Sequence, residues 1–200
     1  MLMFLLKRPT EEQIKDFLVT AQGLPLSYPE VGAMHATPPP DYKVDHNFVP
    51  LGAGAEVFEH AVGALKHWKH FDLGWVQLLP ADAQIQVGVT VAVLVNHSFL
   101  WSLNACQIVY VIDEHEDTIR RFGFAYGTTT QHAERGEERF IIEWNATDET
   151  VSYDILAFSK PGHWLAKFAY PLTRWWQKRF ARDSMKAMLK QLGTRAAENI

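Results

Sequence analysis

FLWSLNACQIVYVID (99–113), TIRRFGFAYGT (118–128), RFIIEWNAT (139–147) and TVSYDILAFS (150–159) follow one another in a single run. Each segment alternates or runs apolar, as strands do. The connections EHED (114–117), TTQHAERGEE (129–138) and DE (148–149) are polar and too short for the helical crossover that parallel strands need. The run therefore predicts an antiparallel meander, and the rest of the chain must pack on it.

Working outward toward the N-terminus, residues 87–97 and 71–79 read as two more strands around a turn at Pro80, Ala81 and Asp82. Residues 56–70 read as a helix, because Val57, Phe58, Ala61, Val62, Leu65 and Trp68 make one apolar stripe. Residues 45–52 give a first strand carrying Phe48 and Val49, stopped by Gly52 and Gly54. Further back, Thr10 and Gln13 have capping-box spacing ahead of Ile14, Phe17, Leu18 and Ala21, a short amphipathic helix ending at Gly23. Between them, Pro25, Pro29, Pro38, Pro39 and Pro40 leave an extended arm, with Tyr28, Val31 and Met34 as its anchors. Beyond the meander, KPG (160–162) leads into a helix to about Leu192. Leu165, Phe168, Leu172, Trp175, Trp176, Met185, Met188 and Leu192 supply its apolar face. Arg174, Lys178, Arg182, Lys186 and Lys190 recur on another, and Pro171 predicts a bend or a split after Tyr170. The expected division is an N-terminal helix and arm (1–44), one domain (45–193) and a frayed tail (194–200). The fold class is α+β, a curved antiparallel sheet of about seven strands wrapped on a long C-terminal helix.

Composition narrows the function. Two hundred residues, 48% hydrophobic and 21% charged, suffice for one domain with a large core. A net charge of -4 gives no global attraction to phosphate backbones, so no nucleic-acid partner is expected, and the basic stripe of the last helix reads as a solvated face. The lone Cys106 makes neither an internal disulfide nor a cysteine-rich metal site. The apolar start, Met1 to Leu6, precedes Lys7, Arg8 and Pro9, the reverse of a secretory signal, and is too short to span a bilayer. The expected home is the cytoplasm, without a transmembrane segment. NHS (96–98) and NAT (145–147) then match the glycosylation pattern by chance.

Residues able to carry chemistry gather near the connection after the second meander strand. Tyr126, Thr128, His132, Glu134 and Arg139 are candidate ligand-binding residues there, with Glu137 and Glu138 beside them. A His next to carboxylates can shuttle a proton, and an Arg can hold an anionic head group. The plainer reading is a solvated hairpin tip. Alternation adds Phe124, Trp144 and Tyr153 as aromatic lining of a concave face, and Trp101 and Asn104 on the longest strand; the plainer reading is that they fill the core. His60, His67 and His70 lack a third ligand, and HAE (132–134) lacks the cysteines of a zinc deaminase, so no metal is expected. No glycine-rich phosphate loop and no Gly-x-Ser-x-Gly elbow are present, and no cofactor is expected. Three functions stay open: a container for a hydrophobic or amphipathic small molecule, an enzyme of the same shape using His132, Glu134, Glu137 and Tyr126, or an interaction module with a packed interior whose proline-rich arm and basic helix bind a protein or a membrane surface.

The order of elements over 45–192 resembles the helix-grip fold of the START and Bet v 1-like superfamily. That resemblance implies a cavity between sheet and last helix. SYPEVGA (27–33), GWV (74–76), WSLNAC (101–106), FGFAYGT (122–128), GEERF (136–140) and FARDS (180–184) are also similar to the signature segments of the domain-of-unknown-function family numbered nineteen-ninety. This second resemblance implies a fold and no reaction. Ala105 departs from it, where relatives often carry Pro.

Overall fold

The computed structural model describes residues 4–35, 38–162 and 170–193. Its strands are β1 (Phe4–Leu5), β2 (Lys43–Ala53), β3 (Val76–Leu79), β4 (Thr90–Asn96), β5 (Trp101–His115), β6 (Ile119–Thr128), β7 (Glu134–Asn145) and β8 (Thr150–Pro161). Its helices are α1 (Glu11–Ala21), α2 (Ala55–Lys66) and α3 (Tyr170–Gln191). One antiparallel sheet runs in the order β2-β8-β7-β6-β5-β4-β3, with β1 added to β5. The meander is β5 to β8, and α2 carries the chain from β2 at one edge to β3 at the other. With α3 held against one face of the sheet, this is a helix-grip architecture of the α+β class.

Strand alternation decides which side chains meet α3. Cys106 and Ile108 of β5, Phe122, Phe124 and Tyr126 of β6, Phe140 and Ile142 of β7, and Val151, Tyr153 and Ile155 of β8 all turn to one face. There they pack with Phe58, Val62 and Leu65 of α2 and with Met185, Met188 and Leu189 of α3. Each such side chain contributes roughly 1.5–3 kcal/mol when fully buried. The opposite face is covered too. Ile14, Phe17 and Ala21 of α1, which is capped by the Thr10 and Gln13 box, sit on Ala92, Leu94, Leu103 and Ala105. Tyr28, Met34 and Tyr42 of the arm sit on Phe158.

Four elements differ from the sequence expectation. The second helix stops at Lys66 because Trp68 takes a left-handed conformation (φ 56°), and a 3-10 turn, Lys69–Phe71, follows. That twist lets the Trp68 indole N–H donate to the Ala83 carbonyl at 2.7 Å. The third strand is correspondingly short. β7 begins at Glu134 rather than Arg139, because β8 pairs with it back to Glu134 opposite Pro161. Val31 is exposed, so Tyr28 and Met34 alone of the three anchor residues are buried. Pro171 stands in the first turn of α3, where a missing N–H costs nothing. Leu165 and Phe168, the expected split before Pro171 and the expected tail at 194–200 lie outside the described residues.

Candidate functional site

The core fills one part of the concave face and leaves another open. Phe124, Phe140 and Tyr153 pack against Trp68, His70 and Phe71, ring on ring. Toward the 129–133 connection, a cleft of about 980 Å³ lies between the strands and α3. Its apolar wall includes Phe71, Trp75, Val95, Ile155, Trp176 and Phe180.

Its polar end is built by strand register. Tyr126 and Glu138 are direct partners on β6 and β7, and the Tyr126 hydroxyl donates to Glu138 Oε2 at 2.7 Å. The row continues through Ala157 of β8 to Asp45 of β2. Arg174 of α3 donates through both terminal nitrogens to the Asp45 carboxylate, and through Nη1 to Gln177 Oε1 at 2.6 Å. Gln177 Nε2 in turn donates to Glu134 Oε2 and, at 3.0 Å, to Ser159 Oγ. A polar chain thus ties α3 to β2 and β7. On the β5 side, His97 Nε2 lies 2.8 Å from Ser102 Oγ, which also accepts from Asn104 Nδ2 at 3.0 Å. Asn104 Oδ1 accepts from the Ala133 N–H, and His132 Nδ1 accepts from the Glu134 N–H at 2.9 Å.

Burial sets the protonation of this end. The Glu138 carboxyl is pushed up to about 7 by desolvation, partly offset by the Tyr126 bond and reinforced by the charges of Asp45 and Glu134. Desolvation also raises Glu134, against hydrogen bonds from Ser159 and Gln177 and the nearby Arg174 charge. It drives the Tyr126 hydroxyl well above its ordinary value and lowers His132 to about 4, so that this imidazole is neutral at pH 7. The arrangement can hold a polar head group and can give or take a proton at Glu138.

Of the ten candidate residues, Asn104, Tyr126, Thr128, His132 and Glu134 line the cleft. The other five do not. Phe124 and Tyr153 are fully buried in the packed part of the core, and Trp144 lies beside Phe58 of α2. Trp101 packs with the α1 cluster on the opposite face, because it shares the parity of Leu103 and Ala105 and points away from Ser102 and Asn104. Parity also turns Arg139 outward, where Nη1 donates to the Met34 carbonyl and Nη2 to Asp154 Oδ1, both at 3.1 Å. Glu137 shares that face and accepts from the Tyr28 hydroxyl and the Gly32 N–H, each at 2.8 Å. Asp45, Glu138, Gln177 and Trp176 are cleft residues absent from those ten. Glu138 was legible, since counting back by two from Phe140 puts it on the Tyr126 face.

Residues 27–187 match the family model for a domain of unknown function (DUF1990). The chain belongs to the DUF1990 family. A UPF0548 protein of Dictyostelium discoideum is 37% identical to this DUF1990 chain over 209 residues, covering 96% of it and 97% of the relative. A UPF0548 protein of Deinococcus radiodurans is 32% identical over 203 residues, covering 96% and 100%. Among solved structures, norcoclaurine synthase of Thalictrum flavum aligns with a TM-score of 0.45 and 13% identity over 74% of this chain and 95% of that one. At that distance the likeness says nothing about chemistry. Segments that resemble the DUF1990 signatures meet in space: Tyr28 of SYPEVGA bonds Glu137 of GEERF, and the Trp75 indole of GWV donates to Asp183 of FARDS at 3.0 Å.

Proposed function

We propose that this DUF1990 protein binds an amphipathic small molecule in the cleft between the concave sheet face and α3. One observation carries the reading: the cleft, about 980 Å³, has an aromatic wall with its polar groups gathered at one end. Volumes of roughly 300–1,000 Å³ with a few convergent polar groups suit small-molecule sites. Among the described residues no helix is long and apolar enough to cross a membrane. A cytoplasmic place of action remains part of the proposal.

The test is native mass spectrometry of protein purified from its own host, followed by denaturing extraction. A stoichiometric apolar or amphipathic passenger supports the container, and repeated preparations without one argue for a packed interaction module. A second reading, catalysis in the same container, rests on the Tyr126–Glu138 pair, whose carboxyl is poised near neutral pH. It predicts that the extracted passenger is chemically altered when returned to the protein, and that Glu138→Gln abolishes the change.

A further inference from the structure

Resting on the container reading, we infer that the ligand's polar head is a cation: the cleft takes an amphipathic amine, with its ammonium at Glu138 and Glu134 and its apolar body along the aromatic wall. The argument is charge complementarity inside an apolar groove. Among the described residues, the ion pairs made by α3 go to aspartates. Arg174 pairs with Asp45, while Arg179 and Arg182 pair with Asp183 at 3.4 and 3.0 Å. Lys178, the other cleft-edge cation of α3, is exposed. Among the described residues, the hydrogen bonds to the side chains of Glu138 and Glu134 come from neutral groups, the Tyr126 and Ser159 hydroxyls and the Gln177 amide, while the Arg174 charge lies near Glu134.

The groups felt by Glu138 sharpen this. They are Tyr126 of β6, Cys106 of β5, Tyr153 of β8, Glu134 of its own strand, and Asp45 of β2, whose charge Arg174 matches. None of them supplies a positive charge to Glu138. An anionic head would enter a poorly solvated space facing carboxylates, and a neutral head would leave the desolvation of Glu138 uncompensated. An ammonium compensates it. The guanidinium at the wall is already matched: Arg179 lies over the Trp75 ring at 4.5 Å and the Trp176 ring at 5.1 Å and pairs with Asp183 at 3.4 Å.

Three probes with one apolar body and different heads decide the matter: 6-phenylhexylamine, 6-phenylhexanol and 6-phenylhexanoate, titrated calorimetrically into the full chain at pH 7.5. The amine is expected to bind about tenfold or more tighter than the alcohol, with the carboxylate weakest. Glu138→Gln, which keeps an acceptor for Tyr126, is expected to remove about tenfold of the amine affinity and leave the alcohol unchanged. At pH 6, amine binding should release a proton, read from buffers of different ionisation enthalpy, because an ammonium favours ionised Glu138. Equal or better binding of the alcohol or carboxylate overturns the cationic head and leaves the container standing. Equal loss of amine and alcohol in the variant overturns the assignment to Glu138. Failure of all three probes to bind removes the container reading and this inference together.

Discussion

His70 shows how one residue escapes a sequence reading. At three-residue spacing from His67, it reads as a neighbour on one helix face. The left-handed Trp68 between them breaks the helix, a conformation uncommon for a bulky residue and one that no local signal announces. His67 stays exposed, its Nδ1 2.7 Å from the Gly63 carbonyl, while His70 is fully buried among Trp68, Phe71, Phe124 and Phe140. Neither ring nitrogen has a hydrogen-bond partner among the described residues. Desolvation lowers this imidazole from the ordinary 6.5 to about 3. The unfolded chain therefore takes up a proton that the folded one refuses. The contribution to stability is fully present above pH 6.5 and is lost as pH falls toward 3. Between pH 7.5 and 4.5 the loss from this group is about 3 kcal/mol. Urea titrations at both pH values should show His70→Phe losing less stability than the parent by about that amount. Identical pH dependence would mean that the folded protein takes up a proton at His70 as readily as the unfolded chain does.

At the scale of elements, the arm is held by a close approach as well as by its own side chains. A Cβ on Gly127 would lie 2.1 Å from the Tyr28 hydroxyl, so this strand glycine makes room for the ring that bonds Glu137. Gly127→Ala should lift the arm, taking from Glu137 its bonds with Tyr28 and Gly32, at a cost of about 2–4 kcal/mol. Limited proteolysis should then cut within residues 25–40 while the sheet keeps its far-ultraviolet dichroism; unchanged protection of the arm would contradict the packing described. Prolines made the arm legible, and the aromatic character of Tyr28 marked an anchor. The start of β7 was not legible. GEE (136–138) has the composition of a loop, and its strand conformation comes from the ladder with β8, a long-range partner that overrides local propensity. Five residues of the presumed hairpin tip are consequently wall or backing of the sheet, and this is what splits Glu134 and Glu138 from Arg139.

On the scale of the whole molecule, the order of elements was readable because a meander with one apolar face and a terminal amphipathic helix have few ways to satisfy each other. The polar end of the cleft was hidden because it joins Asp45 from the first strand of the domain to Arg174 and Gln177 from the last helix, and alternation within one strand carries no information about that pairing. The same long-range logic holds the grip. Tyr153 of β8 and Ser184 of α3 are fully buried, with their hydroxyl oxygens 3.0 Å apart, and either one alone would be a buried polar group without its partner. Tyr153→Phe and Ser184→Ala are each expected to cost about 1–2 kcal/mol in chemical denaturation. The double variant should cost clearly less than their sum, because removing both hydroxyls leaves no orphan, so the cycle should return a coupling of about 1 kcal/mol. A coupling of zero would mean that sheet and helix are registered by apolar packing alone, through Met185, Met188 and Leu189. A coupling of the expected size places a specific bond at the closed end of the concave face, opposite the Asp45–Arg174 pair at the cleft end. α3 would then be pinned at both ends of the space it encloses, which is the condition for a cleft that keeps its volume while its occupant changes.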